Sequence, residues 1–164
     1  MLAPRPTFTS LLTLLTLTHP STAAFSLYQI GLGASGIGAN TEGFQVYPDE
    51  ANCDNALDWL WRKSSDVSGG KYGVRCEGSG CWRGETGEIT SVEFNFLGDF
   101  HWTWYADRDN ALIDLEDRVV GSCDVVIGPH FGCGLDPIGQ VVGERKLKCE
   151  VDVTADQING NRPT

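Results

Sequence analysis

Six cysteines constrain this chain more than any other feature: Cys53, Cys76, Cys81, Cys123, Cys133 and Cys149. Their meaning depends on what precedes them. Residues 1–24 carry one charged side chain, Arg5, then an apolar run from Phe8 to Leu17, a helix-breaking Pro20 and the small residues Ser21-Thr22-Ala23-Ala24. A positive start, a short apolar middle and a small-residue end are the three parts of a secretory signal. The apolar run is about half the roughly 20 residues a spanning helix needs, so export with cleavage after Ala24 is expected rather than anchorage. An even cysteine count in an exported chain implies three disulfides. Zinc is the competing reading. Cys76 and Cys81 have a ligand-like spacing, but no second close pair follows, so no metal and no cofactor are expected.

The chain thus divides into a signal at 1–24, a single secreted domain at 25–153 and a polar, flexible tail at 154–164. Removing the signal leaves 11 Lys+Arg against 22 Asp+Glu, a net charge of −11. Such a surface favours a soluble monomer and repels nucleic-acid backbones and anionic membranes. The densest basic run, Arg145-Lys146-Leu147-Lys148, is flanked by Glu144 and Glu150. There is no Asn-x-Ser/Thr sequon.

Hydrophobic periodicity predicts the elements. Phe25, Leu27, Tyr28 and Ile30 read as a first strand, and Gly31 to Gly43 as a mobile loop. Cys53, Ala56, Leu57, Leu60 and Trp61 fall at i, i+3, i+4, i+7 and i+8, one face of a helix. The period then becomes two. Val92, Phe94 and Phe96, then Phe100, Trp102 and Trp104, alternate with polar residues around Gly98-Asp99, which predicts a hairpin. Further strands follow at Ala111–Leu115 and Arg118–Ile127, and the last runs from Leu147 to Val153. The expected fold is α+β: one helix packed on a mainly antiparallel sheet of about five strands, stabilised by disulfides. Gly128-Pro129 suggests a reversal that would pair Cys123 with Cys133. Cys76 would then close a local loop with Cys81, and Cys53 would tie the helix to Cys149 on the last strand.

Gly31-Leu32-Gly33-Ala34-Ser35-Gly36 is a literal G-x-G-x-x-G. The motif holds a pyrophosphate only where its glycines open a helix inside a βαβ unit, and the residues after Gly36 cannot propagate one. It reads as a loop. Trp102 and Trp104 alternate with polar neighbours and so face the core. Trp82 follows Cys81 in a loop of Gly, Ser, Glu and Arg, and is the candidate binding residue.

The candidate catalytic groups are Glu93, His101, Arg118 and His130. Glu93 and His101 share the polar face of the hairpin and can meet across it. Two acid–base groups plus a guanidinium for the phosphate are what cleavage by an internal 2′-hydroxyl requires. The stretches Phe100-His101-Trp102, Asp117-Arg118-Val119-Val120 and Val125-Val126-Ile127-Gly128-Pro129-His130 resemble the small secreted fungal guanyl-specific ribonucleases. That resemblance covers about thirty residues and implies an acidic, one-helix, disulfide-bonded domain. It places His101 where the family carries an acid, and Asp49 of Tyr47-Pro48-Asp49 where it carries a histidine, which implies a reduced or inactive relative. Signal, cysteine number and size also resemble the small secreted, effector-type proteins of filamentous fungi, a resemblance of composition that names no specific family. Two functions follow: a secreted protein that binds a host protein or a glycan without catalysis, or a ribonuclease-like phosphodiesterase.

Overall fold

The computed structural model describes residues 23–34, 37–56, 59–135 and 139–163; the signal expected at 1–24 lies almost wholly outside them. Ten strands dominate: β1 (Ala23–Ala34), β2 (Ile37–Tyr47), β3 (Trp61–Arg62), β4 (Gly73–Glu77), β5 (Ser91–Asn95), β6 (His101–Tyr105), β7 (Ala111–Asp114), β8 (Val119–Val125), β9 (His130–Leu135) and β10 (Gly139–Val151). One short helix, α1 (Ala155–Gly160), follows. The sheet runs β3-β2-β1-β10-β8-β7-β6-β5-β4, with every ladder antiparallel. Its two ends meet where Lys63, just past β3, bridges Val74 on β4, and the Ser64 N–H donates to the Val74 carbonyl at 3.0 Å. The result is a nearly closed barrel, and closure leaves few unpaired strand edges. It replaces the expected single helix on a five-stranded sheet.

Alternation explains the interior. Phe25, Leu27, Phe44, Val46, Phe94, Trp104, Leu112 and Leu147 project inward from six strands and are fully buried. Trp104 donates its indole N–H to the Cys123 carbonyl at 2.8 Å, and Trp61 packs on Phe96 with ring centroids 4.9 Å apart. Large aromatic rings thus fill the barrel with side chains.

The described part of the segment expected as a helix, 53–56 and 59–61, forms none for local reasons, and Leu57 lies outside the described residues. The Asn52 side chain accepts from the Asp54 N–H at 2.9 Å, and Gln45 donates to the Asn55 carbonyl at 2.7 Å, which fixes Cys53–Ala56 as turns. Asn and Asp compete with helix hydrogen bonds in this way. Trp61 then enters the sheet opposite Phe44. The real helix lies in the polar stretch after Val153. Thr154 and Gln157 form a reciprocal capping box, and Ala155 and Ile158 are fully buried. The glycine-rich stretch expected as a mobile loop continues β1 to Ala34 and begins β2 at Ile37; Ser35 and Gly36 lie outside the described residues.

The disulfides are Cys53–Cys133, Cys76–Cys81 and Cys123–Cys149. The local loop pairs as expected; the other two pairings are corrected. Gly128-Pro129 does not reverse the chain. β8 and β9 run in the same direction along β10, so Cys123 faces Cys149 while Cys133 faces Val141. Eight residues of β10 separate those two positions, about 26 Å of strand. Cys133 instead anchors the turn at 53–56 over a second apolar cluster formed with Tyr28, Ile30, Tyr47 and Val141.

Candidate functional site

At the end of the barrel where β10 finishes, the β5–β6 and β7–β8 turns frame a groove of about 660 Å³. Phe100 and Trp102, with ring centroids 5.4 Å apart, form its floor with Val151 and Val153. Leu115 and Val119 flank it and are 71% and 68% exposed, the two most exposed large apolar side chains among the described residues.

Asp114 builds the flank. Its Oδ1 accepts the N–H groups of Glu116 and Arg118, both at 2.9 Å, and its Oδ2 accepts the Arg118 Nε–H at 2.7 Å. Arg118 also pairs with Glu116. Burial opposes the charge on Asp114, but the Arg118 and Glu116 hydrogen bonds outweigh it and hold the carboxyl below the usual range. The same pairing holds the Arg118 guanidinium firmly protonated. With Asp99, Asp114, Glu116 and Asp152 lining the groove against a single, already paired Arg118, its field is negative.

The sequence-identified groups separate. His101 lines this groove, and its Nε2 meets Glu93 Oε1 at 3.0 Å; Arg75 approaches the same carboxylate at 3.6 Å. Arg118 lines it too, but spends its donors on Asp114 and Glu116. His130 stands on β9 opposite Glu144, its Nδ1 3.4 Å from that carboxylate. Glu144 and Val151 are seven residues apart on β10, about 23 Å of strand, so His130 stands away from the groove. The four groups do not form one cleft.

Trp82 is half-buried, packed against Phe44 with Lys63 Nζ 3.5 Å from its ring centroid. Its loop is held from beneath by a buried ion pair. Lys146 Nζ lies 2.7 Å from Glu144 and donates to the carbonyls of Gly80 and Trp82 at 2.9 and 2.7 Å. Glu144 in turn accepts the Gly84 N–H at 3.2 Å.

Sequence reasoning missed the groove's apolar flank and this ion pair. Leu115 carried a signal, being a large apolar residue inside the acidic turn Asp114-Leu115-Glu116-Asp117. Lys146 carried none, because its burial depends on a bulge. Leu27 faces Leu147 and Tyr28 faces Arg145, which leaves Lys146 as the extra residue beside Leu147. Among the described residues no group of three metal-ligating side chains occurs, and no helix is long and apolar enough to cross a membrane. Comparison with protein-family models, curated proteins and solved structures gave no match.

Proposed function

We propose that this is a secreted protein that acts outside the cell by binding, and that the barrel-end groove is its contact surface for a protein partner. The observation that carries the reading is the pair Leu115 and Val119, more than two-thirds exposed beside an aromatic floor. Large apolar side chains left in water around a concavity mark interaction sites. The disulfides suit an oxidising exterior. The partner segment is apolar with flanking Lys or Arg, because the groove's unneutralised charges are carboxylates. A phosphodiesterase reading draws support only from the Glu93–His101 pair beside Arg118, and His130 pairs with Glu144 away from them. The test is a photo-crosslinking residue at position 115 or 119 during exposure to extracellular extracts. Crosslinks to one discrete protein species support the reading, and equal labelling from a control position such as Lys71 removes it.

A further inference from the structure

A second, chemically different pocket lies near the opposite end of β10. Its volume is about 170 Å³, and Gln29, Gln140, Glu42, Arg83 and Trp82 line it over a floor that includes Gly31. Gln29 is 2% exposed, yet its Oε1 has no hydrogen-bond partner. The orientation of that amide is fixed, because Nε2 donates to the Ile30 carbonyl at 3.2 Å and a flip would set two acceptors face to face. A buried acceptor without a donor costs about 1–3 kcal/mol, so a hydroxyl of something occupying the pocket is the natural complement.

The remaining lining narrows the ligand. Glu42 only accepts, Arg83 only donates and Gln140 does both, which together match groups that donate and accept at once. Glu42 is already paired with Lys63 at 3.0 Å, and the unpaired acceptor at Gln29 disfavours an anion. Trp82 closes one side as an aromatic wall, its ring held in place by Phe44 and by Lys63, whose Nζ lies 3.5 Å from the centroid. The volume is below the roughly 300–1,000 Å³ of drug-sized sites, so it takes one ring rather than a chain. The wall is preorganised: the buried Lys146–Glu144 pair fixes the backbone of Gly80, Trp82 and Gly84 through three hydrogen bonds, in the loop that brings Trp82 and Arg83 to the pocket.

We propose that this pocket binds a single neutral pyranose, the terminal residue of a glycan. It is independent of the protein groove, which lies at the far end of the barrel.

The experiment titrates the folded, oxidised protein with glucose, mannose, galactose and N-acetylglucosamine, with glucuronate and glucosamine as charged controls. NMR follows the Trp82 indole and the Gln29 side-chain amide. The expected result is saturable shifts of both signals by at least one neutral sugar, with a Kd of about 1–10 mM. Gln29→Leu removes the acceptor, and Gly31→Ala sets a methyl on the floor at an unstrained 3.5 Å from Val142. Each weakens binding at least about tenfold without lowering Tm. Leu115→Asp with Val119→Asp leaves the sugar titration unchanged, and Gln29→Leu leaves crosslinking from position 115 unchanged, so each site fails or stands alone. No shift by any neutral sugar up to about 100 mM means the pocket holds water only and overturns the proposal, as does preference for a charged control or binding that survives both pocket variants.

Discussion

Lys146 and Glu144, two residues apart on β10, form an ion pair 2.7 Å long from which solvent is almost wholly excluded. The bulge beside Leu147 makes this possible, turning a residue that strict alternation would expose into the interior. Neither charge is left without company: backbone carbonyls of Gly80 and Trp82 take the ammonium, and the Gly84 N–H meets the carboxylate. Removing one partner of such a pair strands the other in a medium that solvates it poorly.

Lys146→Met therefore destabilises the protein by about 3–5 kcal/mol and frees the loop that carries Trp82. Replacing both charges, Lys146→Met with Glu144→Gln, recovers much of the stability but not the loop position. Denaturant unfolding measures the first effect and hydrogen exchange at Gly80 to Gly84 the second. A single variant as stable as the parent contradicts the account.

The bridges differ in the chain length they close, with separations of 80, 26 and 5 residues for Cys53–Cys133, Cys123–Cys149 and Cys76–Cys81. Loop entropy then ranks their loss at about 4.5, 3.5 and 2 kcal/mol when each pair is changed to serine. Non-reducing peptide mapping checks the pairing, and unfolding midpoints check the order. A Cys123–Cys133 peptide contradicts the fold.

The C-terminal helix is small but bears on the core. Thr154→Ala removes the cap and costs about 1 kcal/mol, and Ile158→Ala, at a fully buried site, costs about 2–5 kcal/mol. Thermal unfolding of the two variants decides this. A neutral Ile158→Ala would return the segment to the status of a loose tail.

Asp114 gives the groove a pH dependence with a definite sign. Its folded pKa is depressed, so between the folded and unfolded values the unfolded chain binds more protons. The contribution to stability is complete above the unfolded value of about 3.9 and is lost as pH falls through the folded one. Carboxyl NMR should show Asp114 titrating below its ordinary range, and Arg118→Ala should move it upward. A midpoint in the ordinary range contradicts the hydrogen-bond scheme of the turn.

How much of this was legible depends on the kind of signal. The β5–β6 hairpin could be read because Val92 to Trp104 alternates strictly around one glycine turn, and the Glu93–His101 contact followed from that register. The capping box of α1 was also written in Thr154-x-x-Gln157, but a polar composition masked it. The 53–61 helix misled because five apolar residues matched a helical face while Asn52, Asp54 and Asn55 were making turns. Barrel closure was not legible at all. It rests on the Lys63–Val74 bridge and on β10 pairing with three strands, and such long-range contacts leave no local pattern.

The central claim is that the barrel-end groove, and not a catalytic cleft, is where this protein acts on a protein partner. The direct measurement is site-specific crosslinking from position 115 to a partner from the extracellular medium, in the parent and in an Asp99→Asn, Glu116→Gln, Asp152→Asn variant that keeps the apolar flank. Beside it runs turnover of a fluorescent RNA across about pH 4 to 8. The account predicts one crosslinked species, a yield reduced at least about tenfold when the acids are neutralised, and no RNA turnover. Crosslinking indifferent to those acids, or RNA cleavage that disappears in His101→Ala, would contradict it.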